Sequence, residues 1–227
     1  MTESTLTIVM PVLNEEAGLA AALQALEPLR ARGAQIIVVD GDSADDSAAR
    51  AQARGVQVVN ATRGRALQMN AGAQQASGEV LLFLHADTRL PFNADALIEQ
   101  ALDAGPKVWG RFDVRIAGKP RLLRVIAAFM NARSRWTGIA TGDQAMFMTR
   151  AAFDAVGGFP AQPLMEDIEM SVRLLHLSRP ACLRAQVITS GRRWETRGVW
   201  STILLMWRLR LAYWRGAAPE RLARLYQ

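Results

Sequence analysis

Ile36-Ile37-Val38-Val39-Asp40 and Val80-Leu81-Leu82-Phe83-Leu84-His85-Ala86-Asp87 decide how this chain folds. Each is an apolar run that ends in an acid and passes into turn-forming residues. Apolar on both faces, such runs read as strands buried in a parallel sheet, and the carboxyl ends of such strands open into the ligand crevice of an α/β protein. Two acids delivered there from two strands suggest a site rather than solvated surface.

Working outward, Leu6 to Met10 is another short buried-strand pattern. Asn14-Glu15-Glu16 then supplies a helix N-cap and an acidic first turn for a helix from Ala17 to Arg30, closed by Gly33. A turn from Gly41 to Ser47 leads into a helix that stops by Gly55, and Val56 to Val59 is a third strand. A helix from about Ala66 to Gln75 precedes the strand that ends near Asp87. This alternation predicts right-handed βαβ units, hence a parallel sheet with helices on both faces. Beyond Asp87 the rhythm changes. Helices are predicted over Phe92 to Ala104, Leu122 to Arg133 and Glu166 to Leu177, with short strands at Ala145 to Met148 and Cys182 to Ile188. Val108 to Ile116 alternates like an exposed strand.

With 227 residues and half of them apolar, the chain suits one sizeable core with an extension. The lone Cys182 excludes an internal disulfide framework and a Cys-based zinc cage. Met1 to Thr5 opens no secretory leader, and no apolar run approaches a membrane span, so the expected location is cytoplasmic. The net charge of +6 is concentrated in residues 192–227, where eight arginines face Glu195 and Glu220. Trp194, Trp200, Trp207 and Trp214 lie there too. Such a segment suits nucleic acid, an anionic membrane surface or an anionic substrate, and composition alone does not choose.

The ordered blocks Met10-Pro11-Val12-Leu13-Asn14-Glu15, Val38-Val39-Asp40-Gly41-Asp42-Ser43, Gly64-Arg65-Ala66-Leu67-Gln68-Met69-Asn70-Ala71-Gly72, Leu84-His85-Ala86-Asp87, Thr141-Gly142-Asp143-Gln144 and Met165-Glu166-Asp167 resemble glycosyltransferase family 2. That family comprises inverting GT-A enzymes that use nucleotide-activated sugars. More narrowly, His85-Ala86-Asp87-Thr88, Gly142-Asp143-Gln144 and Arg192-Arg193-Trp194 are similar to a small bacterial subgroup associated with arsenosugar biosynthesis. The resemblance implies an α/β fold of GT-A type, Rossmann-like, with a mostly parallel sheet and helices on both faces. It divides the chain into a GT-A domain over 1–195, with a nucleotide-binding half (1–90) and an acceptor half (91–195), and an amphipathic Trp/Arg-rich extension over 196–227.

It also implies transfer of a sugar, with inversion, from a nucleoside diphosphate sugar, expected to be UDP-linked, to a small or lipid-linked hydroxyl acceptor. Asp40 can accept from a base imide N–H; Pro11, Val12, Asn14 and Glu15 lie on the loop that reaches base or ribose, with Asp42 and Ala86 nearby. Asn14-Glu15 is equally a plain helix cap. Arg65 matches the family's basic position near the diphosphate. Asp87 is the candidate ligand for Mg²⁺ or Mn²⁺, since such hard cations take carboxylate oxygen and are completed by phosphate and water. Most relatives carry an acid where His85 stands; its imidazole suits Mn²⁺, but a strand-end histidine is also a common structural residue.

Asp167 matches the catalytic base, beside Glu166, although acids here also favour a helix N-terminus. Gly142, Asp143 and Gln144 are expected to shape the acceptor side. Arg193 and Trp194 resemble the Q-x-x-R-W element of processive relatives, with Ser190 in the glutamine position, which argues against polymer synthesis. The absence of G-x-G-x-x-G after the first strand excludes a dehydrogenase. A sugar nucleotidyltransferase would begin with a glycine-rich basic loop that Pro11 to Glu15 lack, and a non-catalytic nucleotide-binding or membrane scaffold is the alternative from another class.

At 100° per residue, Trp200, Ile203, Leu204, Trp207, Leu211 and Trp214 form one stripe with Arg197, Arg208, Arg210 and Arg215 on its flanks. A helix over 198–215 is predicted, bound through this stripe to an anionic membrane, peripherally on its inner face, or to a second subunit. Nucleic acid is not an expected partner.

Overall fold

The structure, a computed structural model, describes residues 6–226. The reading of Met1 to Thr5 lies outside the described residues. Four strands and three helices alternate first: β1 (Leu6–Val12), α1 (Glu16–Ala31), β2 (Gln35–Asp40), α2 (Ser47–Ala53), β3 (Gln57–Asn60), α3 (Arg65–Gln74) and β4 (Val80–Phe83). There follow β5 (Thr88–Arg89), α4 (Ala94–Asp103), β6 (Trp109–Ala117), α5 (Leu122–Thr137), β7 (Phe147–Thr149), α6 (Arg150–Ala155), α7 (Glu166–Leu175) and β8 (Ala181–Ser190). The chain closes with α8 (Arg192–Arg197), α9 (Val199–Trp214) and α10 (Pro219–Tyr226).

One sheet of eight strands runs in the order β3-β2-β1-β4-β7-β6-β8-β5. β1 pairs in parallel with both β2 and β4, and β2 with β3, as the βαβ rhythm requires. β7 is antiparallel to β4 and β6, and β5 is antiparallel to β8. Strand pleat sorts β1 between two cores: Ile8, Met10 and Val12 face the layer of Leu19, Leu23 and Leu26 from α1, while Val9 faces Met69 and Ala73 from α3. Each such side chain, fully withdrawn from water, contributes roughly 1.5–3 kcal/mol. α3 comes close enough to the sheet only because residue 72 is glycine. A Cβ there would lie 2.4 Å from Val9 Cγ1 and 2.8 Å from Val39 Cγ2.

Two expectations from sequence fail in instructive ways. Asn14 does not cap α1: it takes a left-handed conformation (φ 54°), and Glu15 occupies the cap position without a side-chain bond. The first-turn donors are met from the next loop, where Ser47 Oγ accepts from Glu15 N and Asp45 Oδ2 from Glu16 N, each at 3.0 Å. Nor is the 108–116 segment an exposed strand. β6 lies inside the sheet between β7 and β8, with Trp109, Arg111, Phe112, Val114 and Ile116 buried. Its polar positions imitate a solvent face because α5 covers them with matching polar groups. Arg111 pairs with Asp113 and donates to Ser134 Oγ and Asn131 O, both at 3.1 Å.

The tail folds back on the domain. On α9, Leu209 is buried with Leu222 of α10 against Met165, flanked by Leu205, Met206 and Tyr213. The opposite face is left open: Trp200, Trp207 and Trp214 are 71%, 75% and 84% exposed. No helix among the described residues is long and apolar enough to cross a membrane.

Candidate active site

The ends of β1 and β2 make the first wall. Asp40 is buried; its Oδ2 accepts from Ser43 N at 3.0 Å, while its Oδ1 is buried without any partner. A buried carboxylate oxygen normally finds a donor, so this one marks a place where a ligand N–H can bind. Gln68 of α3, which stands in the motif block but to which the sequence assigns no role, ties the two strand ends together by donating to Val12 O (2.8 Å) and Val39 O (2.9 Å). Val12 is thereby committed to structure, with its side chain in the core and its carbonyl also accepting from Gly41 N. Pro11 is half-buried beside it. Asn14 holds the next loop, accepting from Ala44 N at 2.8 Å. Asp42 is exposed, in a left-handed turn (φ 67°).

Glu15, His85 and Asp87 gather at the mouth of the crevice. Burial raises the Glu15 pKa, helped by the charges of Asp87 and Asp45 and opposed by Arg192, whose Nη2 lies 3.7 Å away. Asp87 is exposed, with Thr88 Oγ1 at 3.3 Å, and Ala86 is half-buried before it. Among the described residues no group of three or more His, Cys, Asp and Glu side chains is arranged to hold a metal. The donor set therefore fits a cation held by one carboxylate and completed by ligand oxygens, the arrangement usual for Mg²⁺ and tolerated by Mn²⁺.

The second wall is the 142–144 turn against α7. Gln144, fully buried, closes this single turn: its Oε1 accepts from Thr141 N at 3.2 Å and its N donates to Thr141 O at 2.8 Å. Gly142 N donates to Asp167 Oδ2 at 2.9 Å, and Ile168 N to Oδ1 at 2.8 Å. Two backbone donors thus fix the Asp167 carboxylate at the N-terminus of α7, following Met165 in a left-handed conformation (φ 67°). Glu166 is buried, 3.6 Å from Arg65 Nη1; burial, reinforced by the Asp167 charge, raises its pKa. The Arg65 side chain is 47% exposed, so water screens much of that pair.

His85 faces Asp143, with Nδ1 at 3.4 Å from Oδ1. Burial works against the Asp143 charge, but the hydrogen bond and charge of His85, together with Arg65 and Arg193, hold its pKa below the usual range. Residue 142 must be glycine for this contact: a Cβ would sit 2.5 Å from the imidazole Cε1 and Nε2. His85, Gly142, Glu166, Asp167 and Arg65 line one narrow cavity, floored by Met69, Phe83, Met146 and Phe159. Arg193 also reaches this side, stacked 3.9 Å from the ring centroid of Tyr226. Trp194 does not: it packs against the layer that holds α1 and lines another cleft with Lys119 and Pro120. Arg133, Arg210 and Tyr226 were missed from sequence, because each lies on a helix where its spacing marks only a polar flank.

The sequence profile described as Glycosyl transferase family 2 matches residues 7–158, most of the chain. No curated protein matches it as a relative. Solved structures resemble it in fold. TarS 1-349 of S. aureus in complex with UDP superposes with a TM-score of 0.66 at 18% identity, over 82% of this chain and 60% of that one. Glucosyl-3-phosphoglycerate synthase from Mycobacterium tuberculosis, in complex with Mn²⁺ and UDP-glucose, gives 0.60 at 19% identity, over 82% and 70%. The mannosyltransferase PcManGT from Pyrobaculum calidifontis, with GDP-Man and Mn²⁺, gives 0.64 at 18% identity, over 93% and 62%. The chain thus spans about 60% of the length of the TarS segment.

Proposed function

The chain belongs to glycosyl transferase family 2, and from that premise we propose that it moves a sugar from a nucleoside diphosphate sugar, UDP-linked, to an acceptor hydroxyl with inversion. The observation that carries the reading is the partnerless buried Oδ1 of Asp40 at the end of β2, together with the Asp167 carboxylate, which two backbone donors fix and which lines one cavity with His85 and Arg65. Asp40 receives the imide N–H of the base, and Asn14 and Glu15 border the ribose. Asp87 holds a divalent cation with the diphosphate, and Arg65 lies on the diphosphate side. When bound, the cation supplies charge neutralisation of the departing diphosphate.

Asp167 takes the proton from the acceptor hydroxyl as that oxygen attacks the anomeric carbon from the face opposite the diphosphate. The new C–O bond forms as the bond to the phosphate oxygen breaks, inverting the centre. The backbone N–H groups of Gly142 and Ile168 aim the carboxylate. His85 and Gly142 hold Asp143 where it can contact a sugar hydroxyl. The solved neighbours carrying UDP, UDP-glucose or GDP-Man, two of them with Mn²⁺, support the donor class and the cation. The motifs shared with the arsenosugar-associated subgroup offer a candidate acceptor chemistry. The open tryptophan face of α9, with Arg208 and Arg215 exposed beside it, suits an anionic bilayer at the cytoplasmic surface.

Calorimetric titration of UDP with and without Mn²⁺, on the wild type and on Asp87→Ala, tests the donor side. A cation-dependent affinity present in the wild type and lost in the variant is expected. Equal cation dependence in both proteins would remove Asp87 from the site, and no UDP binding at all would remove the donor assignment.

A further inference from the structure

Three arginines on three different helices lie beside the acids of this wall, Arg133 and Arg210 within electrostatic reach of Asp167 and Arg193 within reach of Asp143, and among the described residues none has a carboxylate partner within ion-pair distance. Arg133 of α5 has a buried Nη2 without a hydrogen-bond partner, and Arg193 of α8 has a buried Nη1 in the same condition. Arg210 of α9 faces the same acids, within electrostatic reach of Asp167 and Asp143. Burial depresses the Arg133 pKa to about 10, and the nearby Arg210 and Arg111 charges add to the depression while Asp167 opposes it. Burial lowers the Arg210 pKa as well. The neighbouring acids are largely committed, since Asp143 faces His85 and Glu166 faces Arg65.

A buried guanidinium keeps its proton and its N–H groups demand acceptors, so a group of them left short of acceptors is an anion site awaiting its ligand. The stacking of Arg193 on Tyr226 strengthens this reading. The ring holds the guanidinium by its face and leaves the in-plane donors free.

We propose that Arg133, Arg193 and Arg210 form a cradle for a phosphate group carried by the acceptor, seated beside the base that activates its hydroxyl. This rests on the reading of Asp167 as that base. A phosphate monoester offers three acceptor oxygens and close to two negative charges, which answers several convergent guanidinium groups better than a single carboxylate does. The cradle also gives the tail a catalytic reason to fold back: α8, α9 and α10 bring in Arg193, Arg210 and Tyr226 together. One helix, α9, thereby turns Arg210 inward and its tryptophans outward.

The phosphate could belong to a soluble ester or to a lipid, and the test separates them. Butyl phosphate and vesicles containing phosphatidic acid are the two probes, each titrated with and without saturating UDP and Mn²⁺. Arg133→Gln and Arg210→Gln are expected to weaken phosphate binding by about 10-fold or more each, the scale of a charged hydrogen bond, with UDP affinity unchanged. Arginine-dependent binding of butyl phosphate supports a soluble acceptor, and arginine-dependent binding of vesicles alone supports a lipid one. Should a glutamine variant fail to fold, Arg133→Lys and Arg210→Lys keep the charge but lose the fork, and are expected to bind with intermediate affinity. Parallel loss of UDP affinity would assign the arginines to the donor diphosphate and overturn the proposal. Butyl phosphate binding that survives both substitutions, or no phosphate binding by the wild type, would overturn it too, and so would vesicle binding that survives both substitutions in a Trp200→Ala, Trp207→Ala, Trp214→Ala background, where the outer face of α9 no longer contributes. If UDP fails to bind while phosphate binding persists, the donor assignment falls and the cradle stands.

Discussion

The end of the site proposed for the nucleotide and the end proposed for the acceptor are built by opposite means. At the first, the groups sit where parallel strands stop: β1 ends at Val12, β2 ends at Asp40, and β4 runs out toward His85 and Asp87. Neighbouring strands lock these positions by backbone pairing, and Gln68 ties two strand ends together. At the acceptor end, Arg133, Asp167, Arg193, Arg210 and Tyr226 come from five different helices and meet through side-chain packing. The first arrangement is dictated by topology, which conserves the position of a strand end whatever the loop carries. The second depends on how α5, α7 and the tail pack, and is free to differ in each chain that adopts the fold. A shared donor site and a private acceptor site are the expected result of such a division.

The largest effect that tests this division comes from Asp167→Asn. Removal of a general base lowers the rate by about 10²–10⁴-fold, and on the proposed reading, which puts Asp167 on the acceptor side, the change should appear in kcat with UDP affinity intact. The substituted amide would keep one oxygen for the Gly142 or Ile168 donor, so the turn should survive. Single-turnover transfer near the wild-type rate would reject the assignment of the base and dissolve the contrast between the two ends.

Leu209→Ala comes next and acts on the packing alone. Leu209 is 1% exposed and holds α9 against Met165, the residue before Glu166 and Asp167. Loss of a buried leucine costs about 2–5 kcal/mol, with the spread set by how far the site collapses. Chemical denaturation should read that loss, and binding of a phosphate probe should weaken with it because Arg210 is one residue along the same helix. UDP affinity should stay. A variant that loses UDP binding in step with stability would mean that the two ends fold and function as one unit.

The sequence disclosed these two ends unequally, for physical reasons. Continuous apolar runs, turn residues and strand-end acids are local patterns, so β1 to β4 and the positions of Asp40 and Asp87 were legible from a few adjacent residues. Asp167 was legible only through the order of motifs, because an acid opening a helix has an ordinary macrodipole explanation. Gly142 is legible as part of a motif on the acceptor side, but the group that approaches it, the His85 ring, is not. β6 misled because an interior strand whose polar residues are satisfied by a covering helix alternates just as a solvated one does. Arg133 and Arg210 carried no signal at all, since an arginine flanking an apolar stripe is the usual composition of any surface helix.

A smaller effect sharpens the nucleotide end. Asp40→Ala removes the proposed acceptor for the base and also the bond from Ser43 N. UDP affinity should fall on the order of 10-fold, the scale of a charged hydrogen bond. Because Oδ1 has no partner in the protein, the binding loss should exceed anything that the lost Ser43 bond causes in thermal unfolding. Unchanged affinity, read by the same calorimetry, would take Asp40 out of the site and leave its open oxygen without a purpose.

The smallest effect on stability is expected from the outer face of the helix that carries Leu209. Trp200, Trp207 and Trp214 are all more than two-thirds exposed, so each alanine substitution should change the unfolding free energy by no more than about 0.5 kcal/mol. Three exposed tryptophans on one face are nonetheless a large apolar area for a soluble surface, and the neighbouring arginines suit anionic headgroups. The triple variant should therefore keep its stability and its affinity for UDP while losing retention on anionic vesicles, and wild-type retention should weaken as salt screens Arg208 and Arg215. If the substitutions instead destabilise the protein on the scale of Leu209→Ala, with light scattering giving twice the monomer mass for the wild type alone, the face is buried against a second copy. The two faces of α9 would then both be interiors, one of the chain and one of a dimer, and the bilayer would have no place in the assembly.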